Sequence, residues 1–217
     1  VRIIYNETAI YVSAIMHVNE DIEITRILTE RDFQDLTDYF VFVFDPYGDN
    51  ALSFNFGVTA AGVQFDYKVT EGNRDYNWNE VWKSKVKVNE NSWSAEMEIP
   101  YSALRFPKDK SERKVNFIRY INENRRNLAW SPIEPTENNM NISNGFLTGF
   151  DIEKTPIRLS ISPYIAGYAE KRSDNDNMNY YVKGGADLKY GISESFTLDM
   201  MLIPDFGQIR SDDYNLN

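Results

Sequence analysis

The feature that most constrains this chain is a period-two alternation of apolar and polar residues in short segments separated by turn residues. Successive side chains of a strand point to opposite faces, so this alternation predicts strands with one buried face rather than helices. Up to residue 152 the segments are 10–18, 39–44, 53–58, 63–69, 82–88, 93–99 and 115–122. Short strands of this kind, joined by turns, are typical of an antiparallel β-sandwich.

The connections between these segments also carry local signals. Ala60-Ala61-Gly62 lies between two of the predicted strands and predicts a hairpin turn. Residues 100–104 are the one place where we expect a short helical turn. Turns or loops are expected at 45–49, 71–73 and 135–143, where residues that favour turns cluster.

The bulk composition excludes several classes of function. A net charge of −10 opposes binding to nucleic acid, since a phosphate backbone requires clustered Lys and Arg. The chain has no cysteine, which rules out disulfides and thiolate metal sites. Aromatic residues make up 14% of the sequence, and they favour strands and stacking surfaces. Neutral partners fit this composition better than polyanions.

Beyond Pro156 the strands become longer and more strictly amphipathic. The segments 157–168, 180–190 and 194–204 are about ten residues long, the length of a strand that crosses a bilayer at a tilt. Their apolar set is Ile157, Leu159, Ile161, Ile165, Tyr180, Val182, Gly184, Ala186, Leu188, Tyr190, Phe196, Leu198, Met200 and Leu202. We therefore predict the opening strands of an outer-membrane-type β-barrel that contacts lipid. A soluble sheet with one packed and one wet face is the alternative.

The ends of the sequence suggest an internal fragment. Val1 opens directly into strand-like sequence without an initiator Met or a signal peptide. No run of about 20 apolar residues is present, so no transmembrane helix is expected, although barrel strands would escape that test.

Six runs of sequence together resemble one family. They are VRIIYNETAIYV (1–12), DYFVFVFDPYGD (38–49), WNEVW (78–82), EMEIPYSALRF (96–106), GGADLKYG (184–191) and PDFGQIRSD (204–212). In this order they are similar to bacterial outer-membrane proteins that combine a domain like the family 9 carbohydrate-binding modules with a C-terminal β-barrel of unassigned function. The resemblance implies a sandwich over residues 1–152, with its N-terminal strand missing, and a truncated barrel over 153–217.

The same resemblance implies a location and a ligand. We expect the outer membrane of a Gram-negative bacterium, with the sandwich exposed to the periplasm or the surface. The expected ligand is a polysaccharide or oligosaccharide, because family 9 modules occur attached to xylan-degrading glycoside hydrolases. This links the chain to carbohydrate catabolism as a binding module rather than as an enzyme.

Aromatic rings that stack on sugars are the natural candidates for the site. Trp82 and Trp93 fall on inward strand faces and are predicted to be core residues. Trp78 and Trp130 lie in polar surroundings, where each could be a ligand platform or a packing anchor for its loop. The neighbouring side chains suited to sugar hydroxyls complete the predicted ligand-binding set, which is Trp78, Trp130, Asn77, Asn79, Arg125 and Arg126.

Three other groups of residues are candidate sites. Glu96 and Glu98 alternate on one strand, about 6–7 Å apart, near a glycosidase spacing, but a solvated outer strand face explains them better, since a catalytic pair grips the sugar from opposite sides. Hard oxygen ligands cluster in the sequence at Asp38, Asp45, Asp49 and Asn50. Related modules can carry structural Ca²⁺, but turn formation is the favoured role, since the spacing matches no calcium-loop motif. His17 is the only histidine, so a multi-histidine zinc site is impossible here, and we expect it to be partly buried.

Two alternatives to sugar binding follow from these residues. The sandwich could be a structural, plug or partner-docking domain of an outer-membrane transport or assembly component. The other, less favoured alternative is an enzyme, an O-glycosyl hydrolase.

Overall fold

The structure is a computed structural model that describes residues 1–19, 22–105, 107, 112–132, 144–150, 159–171, 178–192 and 196–203. Its contacts divide the chain into two compact units, Val1–Pro156 and Ile157–Asn217. All described strand pairs are antiparallel, which confirms the predicted all-β class. In this part of the chain, no helix is long and apolar enough to cross a membrane.

The first unit contains two β-sheets. Its strands are β1 (Arg2–Tyr5), β2 (Ala9–His17), β3 (Tyr39–Asp45), β4 (Leu52–Thr59), β5 (Gln64–Thr70), β6 (Asn73–Asp75), β7 (Lys83–Val88), β8 (Ser92–Pro100), β9 (Arg113–Ile121), β10 (Arg126–Ala129) and β11 (Gly145–Leu147). Sheet A has the order β1-β2-β8-β7, and sheet B has the order β10-β9-β3-β4-β5-β6, with β11 also paired to β9.

The predicted strands and turns of this unit are confirmed. The seven alternating segments form β2, β3, β4, β5, β7, β8 and β9. The hairpin between β4 and β5 closes through the Thr59 N–H, which donates to the Val63 carbonyl at 2.9 Å, and Gly62 adopts a φ of +88°. The short helical turn is a 3₁₀ turn at Tyr101–Ala103. The predicted loop at 135–143 lies outside the described residues.

The main core fills the space between the two sheets. Sheet B supplies rows of phenylalanines and sheet A supplies aliphatic and tryptophan side chains, so the alternation places one face of each strand inside. The fully buried members include Ile10, Val12, Phe42, Phe44, Phe54, Phe56, Trp93 and Ile99. Trp82 and Trp93 are buried as predicted.

A second apolar cluster covers the other face of sheet B, which the sequence did not predict. It contains Val41, Val43, Phe65, Tyr67, Val69 and Ile118. The ring of Phe65 lies over Gly57, where a Cβ would be 2.1 Å from the ring. Both faces of β3 and β4 are therefore buried.

His17 was expected to be partly buried. It lies instead on the outer face of sheet A and is exposed.

The second unit is a three-stranded sheet. Its strands are β12 (Leu159–Lys171), β13 (Met178–Gly191) and β14 (Thr197–Leu202), in the order β12-β13-β14. The register pairs Ile161 with Leu188 and Leu188 with Met200. Paired residues of antiparallel strands share a face, so the predicted apolar set of the described strands forms one continuous face. Ile157 of that set lies outside the described residues.

Candidate functional site

Trp78 is half-buried and packs against the main core. Its ring lies 5.0 Å from the Phe54 ring and 5.6 Å from the Phe56 ring, measured between centroids. Between the two roles left open by the sequence, these contacts favour packing that anchors the loop after β6.

The two asparagines beside Trp78 take part in internal hydrogen bonds. The Asn77 N–H donates to the Asp75 carboxylate at 3.1 Å, which forms a turn. The Asn79 amide oxygen accepts from Nη2 of Arg31 at 2.9 Å. The Asn79 side chain and the Asn77 backbone thus help to hold this loop.

Trp130 is in a different environment, because 59% of its side chain is exposed. It follows β10 directly, and its ring lies 5.6 Å from the Phe117 ring at an angle of 58°. The ring also lies over Gly145 of β11, where a Cβ would be 2.2 Å from Cζ3 of Trp130. One side of the indole is therefore supported by Phe117 and by bare backbone, while much of its surface faces solvent.

The backbone around Trp130 is fixed on both sides. The Trp130 N–H donates to the Phe117 carbonyl at 2.9 Å. The buried side chain of Asn116 accepts from the Ser131 N–H at 3.0 Å and donates to the Ser131 carbonyl at 3.1 Å. The Trp130 ring is therefore already held in place and would lose little conformational entropy when a ligand binds.

The strand before Trp130 places two further side chains beside it. Arg126 pairs with Ile121 and Leu128 pairs with Arg119, so Arg126, Leu128 and Trp130 share one face of β10. We call this surface the β10 face. Arg125 lies just outside it, in the turn before β10, with a φ of +53°.

The structure therefore divides the predicted ligand-binding set. Arg126 and Trp130 lie together on the β10 face, at one edge of sheet B. Asn77, Trp78 and Asn79 follow β6, which is the opposite edge strand of that sheet. The shared face of Arg126, Leu128 and Trp130 was not predicted, because β10 has only four residues. Asn116 and Gly145, which fix the ring, gave no signal in the sequence.

A groove of about 860 Å³ opens over the edge strand β7. Tyr11, Glu96 and Glu98 of sheet A line it together with Lys83 and Lys85. Across the strands, Tyr11 pairs with Glu98 and Glu98 with Lys83, while Glu96 pairs with Lys85. We call this concavity the β7 groove. As predicted, Glu96 and Glu98 lie on the outer strand face with Trp93, Met97 and Ile99 buried on the other.

The glutamates of the groove do not face each other as a glycosidase pair does. Nζ of Lys83 lies 3.3 Å from Oε1 and 3.4 Å from Oε2 of Glu98. Both carboxylates belong to one strand and approach the groove from the same side. A glycosidase pair flanks the scissile bond, which these two side chains do not do.

A buried carboxylate organises the wall of the groove. Asp66 accepts hydrogen bonds from Nη2 of Arg31, from the Glu80 N–H at 2.7 Å and from Nε1 of Trp82 at 3.2 Å. Burial raises the pKa of the Asp66 carboxyl above its ordinary value, and the Arg31 charge opposes that rise. This network joins the loop that carries Arg31 to β5 and to the start of β7.

The candidate calcium ligands do not form one site. Asp38 and Asp45 lie at opposite ends of β3, about 23 Å apart along a strand. The Asp45 carboxylate accepts the N–H groups of Tyr47, Gly48 and Asn50 at 3.0, 2.7 and 3.0 Å. Asp45 therefore closes a turn. No cluster of three or more His, Cys, Asp or Glu side chains suited to a metal occurs within the described ranges.

Comparisons with known proteins agree with this fold. The structure is similar to that of a candidate carbohydrate-binding protein from Bacteroides uniformis ATCC 8492, with a TM-score of 0.51, 19% identity, and coverage of 68% of this chain and 76% of that one. A family 9 carbohydrate-binding module from Caldicellulosiruptor kristjanssonii in complex with glucose aligns at a TM-score of 0.44, with 16% identity over 68% of this chain and 73% of the module. The same type of module in complex with cellotriose aligns at 0.43, with 16% identity over 67% and 71%. At 19% identity, the similarity to the Bacteroides uniformis structure shows fold and not ligand.

Sequence comparisons reach only the second unit. A family model described as a domain of unknown function (DUF5916) matches residues 155–217. No curated protein matches the chain.

Proposed function

We propose that the first unit binds carbohydrate, with Trp130 as the ring on which a sugar stacks. The observation that carries this proposal is an exposed indole held in place by Phe117, Gly145 and the Asn116 clamp. A ring fixed before binding offers a large contact area at little entropic cost. The similar structure from Bacteroides uniformis, described as a candidate carbohydrate-binding protein, supports this class of ligand.

The β10 face supplies polar as well as apolar contacts. Arg126 lies four residues from Trp130 on the same face, about 13 Å along the strand. This distance exceeds one sugar ring, so the face suits an oligosaccharide that stacks on Trp130 and receives hydrogen bonds from the Arg126 guanidinium at another residue. Leu128 lies between them and gives an apolar surface.

Titration with cellotriose and a panel of neutral oligosaccharides tests this proposal. We expect Trp130→Ala to lower the affinity of the β10 face for any bound member of the panel at least tenfold, as measured by isothermal titration calorimetry. Phe146→Ala is the matched control, because Phe146 is an exposed ring on the neighbouring edge strand β11. Equal affinities for wild type and Trp130→Ala would contradict the proposal.

The proposed role is binding without hydrolysis, in the service of polysaccharide catabolism at the cell envelope. The Glu96 and Glu98 geometry supports a non-catalytic role, since both side chains lie beside lysines on one strand face. Release of reducing sugar from a polysaccharide that is abolished by Glu96→Gln would contradict it.

For the second unit we propose a lipid-contacting role, as part of a Gram-negative outer-membrane β-barrel. The length of β12 and β13, at 13 and 14 residues, and the continuous apolar face of the sheet support this proposal. Fractionation of cells that produce the natural protein tests it. Recovery in the outer-membrane fraction is expected, and recovery in the soluble fraction would contradict the proposal.

A further inference from the structure

We propose that the β7 groove is a second saccharide-binding site, independent of Trp130, which recognises neutral sugars through adjacent hydroxyl groups. Its volume of about 860 Å³ lies within the range of about 300–1,000 Å³ that small-molecule sites occupy.

The charges of the groove balance one another. Lys83 is paired with Glu98, and Lys85 lies opposite Glu96 on the neighbouring strand. The guanidinium of Arg31 is matched by the buried Asp66 carboxylate. Because each cation faces an anion, the groove has no cluster of one sign of charge to attract a polyanion or a polycation. A neutral ligand rich in hydroxyl groups suits it best.

The Lys83–Glu98 pair has the geometry to engage two neighbouring hydroxyls. Nζ of Lys83 lies 3.3 Å from Oε1 of Glu98, and the two side chains are 77% and 39% exposed. One hydroxyl can donate to the carboxylate while its neighbour accepts from the ammonium group. Hydrogen bonds to charged groups are stronger than neutral ones, so such a contact orients the ring.

Tyr11 provides the apolar surface that accompanies these contacts. It lies next to Glu98 in the same row across the sheet. Its hydroxyl accepts from Nδ2 of Asn6 at 3.3 Å, which holds the ring beside the groove. A half-buried aromatic ring next to charged hydrogen-bonding groups is a common arrangement for polar ligands with apolar faces.

The wall of the groove is preformed. Nε2 of Gln64 donates to the Trp82 carbonyl at 3.2 Å and to Oγ of Ser84 at 3.1 Å. Nη1 of Arg31 donates to Oε1 of Gln64 at 2.8 Å. These bonds fix the loop and the start of β7 before a ligand arrives, which lowers the entropic cost of binding.

The groove and the β10 face are separate surfaces. The Gln64–Ser84 bond places β7 against β5, and β5 is four strands from β10 in sheet B. Four strand spacings correspond to about 19 Å. One monosaccharide cannot contact both surfaces.

Calorimetry on the 217-residue chain tests the second site, with cellotriose, a glucosamine trimer and a galacturonic acid trimer as probes. Trp130→Ala should retain one cellotriose site. In the Trp130→Ala background, adding Lys83→Met and Glu98→Gln should lower the cellotriose affinity of the remaining site at least tenfold. The unfolding midpoint should stay unchanged, because exposed ion pairs contribute little to stability. The charged trimers should bind this site more weakly than cellotriose. Lys87→Ala is the control, since Lys87 lies on the same face of β7 outside the groove lining.

The outcomes separate this inference from the proposed function. Complete loss of cellotriose binding in Trp130→Ala would overturn the second site and leave the β10 face intact. Undiminished binding in the Lys83–Glu98 variant on the Trp130→Ala background would also overturn it. Binding that disappears in the Lys83–Glu98 variant but not in Trp130→Ala would support the groove and overturn the β10 face.

Discussion

Trp130 keeps its exposed position because residue 145 has no side chain. Alanine at position 145 would place a Cβ 2.2 Å from Cζ3 of Trp130, so the ring must move. We expect Gly145→Ala to reduce oligosaccharide affinity at the β10 face at least tenfold, as measured by calorimetry, while the indole itself is retained. Gly167→Ala is the control, because a Cβ there has no neighbour within 4 Å. Unchanged affinity in Gly145→Ala would show that the position of the ring is unimportant.

Asp38 gives the stability of the first unit a defined pH dependence. The side chain is fully buried and accepts the Asn122 N–H at 2.9 Å. Burial raises the pKa of its carboxyl above the ordinary value of 3.8, and the Asn122 hydrogen bond and the Arg119 charge oppose that rise. The folded state therefore holds a proton that the unfolded state releases as the pH passes 3.8.

The resulting prediction concerns the difference between wild type and Asp38→Asn. As the pH rises from 3.8 through the folded-state pKa, the unfolding free energy of the wild type should fall relative to that of the variant, and then level off. Urea denaturation at a series of pH values measures this difference. A difference that is constant, or that rises with pH, would contradict the assignment.

The two candidate tryptophans show how far the role of a single residue can be predicted from the sequence. Trp78 and Trp130 have similar polar neighbours in the sequence, and both were open to either role. Their contacts differ because the sheet brings Phe54 and Phe56 under Trp78, and Gly145 under Trp130. These neighbours are distant along the chain, so no local pattern could separate the two cases.

The long strands were predictable because each repeats the apolar alternation several times. The strands β1, β6, β10 and β11 have only three or four residues, too few for a period to show. They form by pairing with a longer neighbour, as β10 and β11 do with β9. Because Trp130 follows one of these short strands, the candidate site was harder to predict than the sandwich.

The loop that carries Arg31 depends on one guanidinium. Arg31 donates to Gln64, to the buried Asp66 and to the Glu80 carbonyl, so its loss leaves a buried carboxylate without its cation. We expect Arg31→Ala to destabilise the first unit by about 3 kcal/mol, the lower end for breaking a buried ion pair because Arg31 itself is partly exposed. Urea denaturation measures the effect. Arg26 is an exposed arginine of the same loop, so Arg26→Ala should change the free energy of unfolding little. Equal effects of the two substitutions would contradict the role of Arg31 as the partner of Asp66.

The sheet of the second unit can be tested strand by strand, because the chain contains no cysteine. Single cysteines at Leu198, Met200, Thr197 and Asp199 sample both faces of β14. If the apolar face contacts lipid, an environment-sensitive label should shift to the blue in lipid vesicles at positions 198 and 200, and less at 197 and 199. Labels that respond equally at all four positions would contradict a lipid-facing side.

The whole molecule presents its two proposed sugar surfaces on a strongly acidic background. The net charge of −10 disfavours polyanions, while the β7 groove is locally balanced. The composition predicted a neutral partner in general terms. It could not predict the groove, because Tyr11, Gln64 and Glu98 come together only through sheet pairing and the contact between β5 and β7.

Two separate surfaces on one chain predict avidity for polymers. A polysaccharide long enough to reach both can bind the second surface intramolecularly, which raises apparent affinity without any new contact. In affinity electrophoresis through gels that contain a soluble β-glucan, retardation of the wild type should exceed that expected from its trisaccharide affinities. Either Trp130→Ala or the Lys83→Met, Glu98→Gln variant should abolish the excess while leaving one trisaccharide site intact. If each variant loses only half of the retardation, the surfaces bind independently and cannot engage one polymer together.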